Sequence, residues 1–251
     1  MSTQDSGRPI IVPQPGQKRR RRFYKQACAV EDGGLWHIEL DGRSLKTPGR
    51  TLLAHPARAL MEAVAAEWAA QGEEIDTAAL QFTRLANTAL DGVRRREDEV
   101  AGDILRYAGS DLVLYRADAP AELREQQDAA WDGVLAWAQE TFGAVFTVTS
   151  GIMPVEQPRE ALDRLQPALA GFGAFPLTAL HCMTTLSGSA LLTLAHARGR
   201  LTLEETWQAA HVDEDYQIAR WGWDAEAQRR RRQRLADMTA ASRFFAAVAG
   251  A

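Results

Sequence analysis

The sequence predicts an α+β protein, a small N-terminal β-rich meander domain followed by a larger, mainly helical domain. Three observations predict it. Residues up to His55 alternate apolar and polar groups between turn signals such as Asp41-Gly42. After Pro56 the apolar residues recur at helical spacing instead. The 251 residues, 46% of them hydrophobic, are enough to bury a sizeable core. The chain divides by these patterns into a disordered tail over 1–20, a β-rich domain with the first helix over 21–77, and a helical domain over 78–251.

Met1 to Gln17 mix Ser, Gln, Gly and Pro with few large apolar groups and read as disordered or loosely attached. Phe23 to Val30 reads as a strand, and Leu35 to Leu40 as a second that places Trp36, Ile38 and Leu40 on one face. Asp41-Gly42 turns the chain because both residue types tolerate positive φ, Arg43 to Thr47 returns antiparallel, and Thr51 to Ala54 is a last short strand. Pro56 suits a first helical turn, and Leu60, Val64 and Trp68 mark the buried side of the helix it opens. Thr77 to Arg96 and Val100 to Tyr115 are predicted as further helices, with Gly109-Ser110 a possible break in the second. Pro120 opens the best-patterned helix, whose face carries Leu123, Gln127, Trp131, Val134, Ala138 and Phe142 and which Gly143 ends. Val145 to Val148 looks β-like, Pro158 to Leu169 helical, and Pro176 to Arg198 a single central helix with small residues at Ser187 to Ser189.

Leu201 to Trp223 carries the clearest helix signals and one anomaly. Thr202 and Glu205 have the spacing of a capping box. Read as one helix to Gly222, the segment sets Trp207, His211, Glu214, Ile218 and Trp221 on one side, so a carboxylate sits within an aromatic stripe. Buried and unpaired it would cost several kcal/mol, so Glu214 is paired, protonated or on a surface meant for a partner. Asp224 caps a final helix beyond it.

Composition excludes some functions. A net charge of −4 with 25% charged residues gives no global pull toward nucleic acid or membrane. No run of about eighteen apolar residues is present, so no membrane insertion is expected. Cys28 and Cys182 are far apart and fit no disulfide framework or zinc motif. The basic runs Lys18 to Arg22 and Arg229 to Arg234 read as solvated faces, and without interleaved aromatics the second is not a base-stacking surface. No G-x-S-x-G, H-E-x-x-H or phosphate-cradling loop occurs, and neither a cofactor nor a metal is expected. His211 with Glu214 or Asp215 has metal-ligand spacing on a helix face, but no second helix supplies a matching pair. A metal-dependent hydrolase or oxidoreductase using His211, Glu214 and Asp215 is therefore the alternative reading, and an RNA-binding role through Arg229 to Arg234 a third.

Several segments taken together resemble one family. RFYKQACAV, LDGRSLKTP, AVAAEWAAQ, FTRLANTALD and LTLEETWQAAHVDEDYQIARWG run in this order from Arg22 to Trp223. They are similar to the assembly chaperones of the ATP synthase alpha subunit, the Atp-twelve family. The resemblance implies a β-rich N-terminal and a helical C-terminal region, no catalysis, no metal and no nucleotide hydrolysis. It implies transient binding of the unassembled alpha subunit, with its apolar beta-contacting surface shielded until assembly. It also implies a functional acidic residue at Glu214, with Asp213 and Asp215 beside it and Trp207 and Trp221 as the aromatic surroundings. A monomer in a bacterial cytoplasm is expected, with the mitochondrial matrix as the alternative.

Overall fold

The structure, a computed structural model, describes residues 10–11, 20–151 and 153–249. Two compact units emerge. The first takes the described residues up to Arg96 together with 173–178 and those from Arg243 on, and the second takes 97–172 and 179–242.

The first unit holds a five-stranded sheet built from β1 (Ile10–Ile11), β3 (Ala27–Asp32), β4 (Leu35–Leu40), β5 (Arg43–Lys46) and β6 (Ala54–His55). A separate two-residue strand, β2 (Arg20–Arg21), lies between β1 and β3 in sequence. β4 is the centre of the meander: β3 pairs along one edge with Ala29 opposite Ile38, while β5 and β6 share the other. The Asp41-Gly42 turn forms as the residue types demand, with φ of +50° and +76°. Ile10 and Ile11, expected to lie in a loose tail, pair parallel to Leu45 and Lys46, and most of the rest of that tail lies outside the described residues. Helix α1 (Arg58–Ala69) packs Leu60, Met61, Val64 and Trp68 inward, as its periodicity predicts. Next β7 (Glu74–Ile75) pairs with β2.

The predicted helix over 77–96 is broken. It becomes a single tight turn at Thr77–Ala79, helix α2 (Gln81–Asn87), and a widened turn at Thr88–Val93. The cause is tertiary. Glu67 of α1 reaches across to accept the backbone N–H groups of Phe82 (2.6 Å) and Thr83 (2.9 Å), which fixes where α2 starts. Burial pushes the Glu67 carboxyl above its ordinary value against the pull of those hydrogen bonds.

Four of the segments noted in sequence are tied together inside this unit. Asp41 accepts from the N–H groups of Lys25 and Gln26 and joins the LDG turn to RFYKQ. Glu67 joins AEW to FTR, and Trp68 Nε1 donates to the Thr83 hydroxyl. Asp91 accepts from the Thr47 hydroxyl at 2.7 Å and the Gly49 N–H at 2.8 Å, joining KTPG to NTALD. Arg22, from the basic run, donates to the carbonyls of Ala69 and Gln71 at the end of α1, so part of that run is a helix cap.

The second unit begins with α3 (Glu97–Ala108), a tight turn at Leu112–Leu114, β8 (Tyr115–Arg116) and α4 (Ala121–Phe142), which Gly143 ends at φ +70°. No strand forms at 145–148. Instead β9 (Thr149–Ser150) pairs parallel to β8. Arg116 is fully buried, donating to Asp128 at 2.7 Å and Asp132 at 2.8 Å, with its guanidinium over the Trp131 ring. Helix α5 (Arg159–Leu169) follows, and the expected helix over 176–198 divides into α6 (Ala174–Ser187) and α7 (Ala190–Ala197). The break is at Gly188, φ +72°, after which the Ser189 hydroxyl accepts from Leu192 N–H and Asp111 accepts from Leu191 N–H. A buried carboxylate at the start of α7 supplies what the helix dipole favours there. Helices α8 (Leu203–Ala210), α9 (Val212–Trp221) and α10 (Ala225–Ala249) complete the chain. No helix of the described residues is long and apolar enough to cross a membrane.

Candidate functional site

The predicted capping box forms as read: Glu205 N–H donates to the Thr202 hydroxyl, and the Glu205 carboxylate accepts from Thr202 N–H. The helix it starts does not run to Gly222. It stops at Ala210, and His211, at φ −125° and ψ 19°, turns the chain into α9. The bend is held by the imidazole itself, whose Nδ1 donates to the Trp207 carbonyl at 2.8 Å while the two rings lie with centroids 3.8 Å apart. The aromatic stripe therefore splits into a buried half and an exposed half. Trp207 and His211 are 7% and 4% exposed, and Trp221 is 77% exposed.

Helices α8 and α9 are fastened to α4 at successive turns. Trp131 Nε1 donates to the Ala209 carbonyl at 2.7 Å, Gln127 Nε2 to Asp213 Oδ1 at 2.6 Å, and Arg220 and the Tyr216 hydroxyl both reach Glu122. Gln127 and Trp131, four residues apart, share one face of α4, and Glu122 reaches the same antiparallel segment from the first turn of that helix. Asp213 thus faces α4.

Its neighbours face α10. Arg231 Nη2 pairs with Asp215 at 2.5 Å, and Arg231 Nη1 lies 3.7 Å from Glu214 Oε2. The same guanidinium lies over the rings of both Trp207 and Trp223. Glu214 is half-buried, its other near neighbour being His211 Nε2 at 3.9 Å. Because His211 Nδ1 bonds a carbonyl, which only accepts, the neutral ring presents a lone pair at Nε2. Burial pushes this imidazole below its ordinary value, and the Arg231 and Arg234 charges push the same way. His211 Nε2 and Arg231 Nη1 are buried and have no hydrogen-bond partner. Beside them is a recess of about 180 Å³ lined by Trp207, Trp223, Gln228, Arg231, Arg232 and Leu235.

The arrangement ties in Trp207, Asp213, Glu214 and Asp215, each with a different task, and leaves Trp221 apart from them. Asp213 and Asp215 are internal ties, Trp207 is a floor, Glu214 is at the margin and Trp221 stands out in solvent. The predicted stripe did not include Arg231, Trp223, Gln127 or Trp131 as partners. Arg231 could have been found, since it lies one turn before Leu235 on the same face of α10. The metal reading is corrected by this geometry: a guanidinium takes the Asp215 carboxylate, and no group of three or more His, Cys, Asp or Glu is placed to hold a metal among the described residues.

Comparison with known proteins decides the class. The family model described as ATP12 chaperone protein matches residues 21–139. The crystal structure of Atp12 from Paracoccus denitrificans is 39% identical, with a TM-score of 0.85, over 91% of this chain and 98% of that one. This chain belongs to the ATP12 chaperone family. A point mutant of the same Paracoccus protein superposes equally well. A protein of Agrobacterium tumefaciens assigned as a chaperone is 41% identical, with a TM-score of 0.89, over 94% of this chain and 92% of that one. The mitochondrial atp12 protein of Schizosaccharomyces pombe is 23% identical over 84% of this chain and 76% of its own length. An ATP12 chaperone is not an enzyme, which sets aside the hydrolase and oxidoreductase alternative. The ATP12 model covers strands β3 to β6, α1, the Glu67 and Asp91 ties and most of α4, while Glu214 and Arg231 lie beyond it. The solved relatives extend over 91% and 94% of this chain, in a common α+β fold.

Proposed function

We propose that this ATP12 chaperone serves ATP synthase assembly by holding the unassembled alpha subunit and shielding the apolar surface that later contacts the beta subunit. The carrying observation is the end of α9, where Trp221 and Trp223 are 77% and 51% exposed, about two turns along from the half-buried Glu214. Large aromatic side chains left in water at one place are the usual mark of a surface kept for a protein partner. Asp213 and Asp215 hold the shape of that surface through Gln127 and Arg231, and Glu214 and Trp221 meet the client. The bacterial relatives favour a bacterial cytoplasm over a mitochondrial matrix, and the protein acts as a monomer, transiently.

The test is aggregation of purified alpha subunit followed by light scattering, with and without an equimolar amount of this protein. Suppressed scattering supports the reading; unchanged scattering with no stable complex removes it.

A further inference from the structure

The surface beside the acidic segment is not itself acidic. Asp213 is committed to Gln127, and Asp215 to Arg231. Glu214 stays part-exposed but lies 3.7 Å from the Arg231 guanidinium, and the other charges toward solvent at the recess come from α10. The recess lining contains two guanidinium groups, Arg231 and Arg232, and three apolar or aromatic side chains, Trp207, Trp223 and Leu235, but no carboxylate. Arg232 of the lining, and Arg229 one turn before it on α10, are exposed and have no carboxylate at ion-pair distance among the described residues, whereas Arg230 is matched by Glu226. Trp223 and Leu235, 51% and 38% exposed, form an apolar rim. The recess, about 180 Å³, is the size of one side chain rather than of a cofactor.

We infer that this recess is a docking point for an acidic segment of the client, one that seats a single apolar side chain between Trp223 and Leu235 and sets its carboxylates against Arg229 and Arg232. The inference rests on the client-binding reading above and gives it a chemistry. Charge complementarity selects the occupant. An unmatched guanidinium lining an apolar slot, with a second one turn before it on the same helix, favours a carboxylate-bearing chain, since Arg presents a planar fork that carboxylate oxygens match two at a time. A basic segment would be repelled at the same place, which gives selectivity as well as attraction. The exposed arginines are rim charges, which govern association rate and salt dependence more than ultimate affinity. Trp223, seated over the Arg231 guanidinium, is the apolar anchor.

Two arms test this on the intact protein. In the first, a fluorescein-labelled acidic peptide with one phenylalanine is titrated at low and at high salt, against the same peptide with lysine for each glutamate. The acidic peptide is expected to bind at least about tenfold more tightly than the basic one, and to weaken with salt. Arg229→Glu with Arg232→Glu should remove that preference, and Trp223→Ala should weaken binding of the acidic peptide, both with an unchanged thermal midpoint because these side chains are exposed. Equal binding of the two peptides, or unaltered binding by the variants, overturns the inference. In the second arm the same variants are tested for suppression of alpha-subunit aggregation. If the unaltered protein protects alpha and the variants protect equally well, the docking point is wrong and the client reading stands. If the unaltered protein fails to protect alpha, the client reading falls, and the peptide arm still decides the chemistry of the recess.

Discussion

Replacing Glu214 with glutamine removes one negative charge and almost no volume, which makes it the cleanest probe of the acidic segment. In the folded protein its Oε2 lies 3.7 Å from Arg231 Nη1, and its side chain is 35% exposed. At that separation Coulomb's law gives about 1 kcal/mol in bulk water and about 4 kcal/mol near a protein surface. Exposure and the entropy of holding long side chains bring the net toward the lower figure. Arg231 also keeps its shorter pair with Asp215, so the guanidinium is not orphaned by the change. The expected loss is therefore about 1 kcal/mol or less, a fall of about 2–4 °C in thermal midpoint for a chain of this size. Protection of alpha subunit against aggregation should nevertheless drop clearly. Differential scanning calorimetry and the light-scattering assay, run on the same preparation, separate the two effects. A fall of more than about 10 °C would mean that Glu214 is a structural member whose role the ion-pair arithmetic misjudged. Full protection by the variant would refute its place at the client surface.

Other outcomes follow from other parts of the chain. A Cβ at Gly49 would lie 2.6 Å from Asp91 Oδ1, so Gly49→Ala must expel the carboxylate from its two hydrogen bonds. Gly49→Ala and Asp91→Ala should each cost about 1–2 kcal/mol in urea unfolding, and the double variant should cost clearly less than their sum. Burial raises Asp111 from 3.8 to about 6 in spite of its hydrogen bonds to Leu191, Val113, Ala190 and Ser189. The folded state then holds that proton more tightly than the unfolded chain, so the contribution of Asp111 is complete below about pH 4 and declines as pH rises toward 6, by on the order of 3 kcal/mol. Asp111→Asn should flatten that decline in a pH series of urea midpoints, and an unchanged slope would contradict the assignment. His211 titrates in the opposite sense. Its folded value lies below 6.5, so its contribution is present above pH 6.5 and lost on acidification, and His211→Asn should reduce the acid-side slope below pH 6.5 in the same series.

The local parts of the fold were legible because their causes are local. The Asp41-Gly42 turn, the alternation of Trp36, Ile38 and Leu40, the capping box at Thr202 and the stop at Gly143 each depend on a few adjacent residues. Two of the misread helices break where a distant side chain intervenes. Glu67 sets the start of α2 from another helix, and Asp111 takes the N–H of Leu191 at the start of α7. At His211 the bend is made by an imidazole turning back on its own Trp207, an option that periodicity does not register. The site shows the same division. The odd carboxylate on an aromatic stripe was visible in sequence, and it does mark the place where α8, α9 and α10 meet. Its partner was not visible, because five arginines in the run from Arg229 to Arg234 look alike until the fold places Arg231 between two tryptophans.

Client choice is the claim on which the account most depends. Size-exclusion chromatography of this protein mixed in turn with purified alpha and purified beta subunit measures it directly. The account predicts a complex with alpha, which dissolves when beta is then added, and none with beta alone. Absence of a complex with alpha, or equal complexes with both subunits, would contradict it.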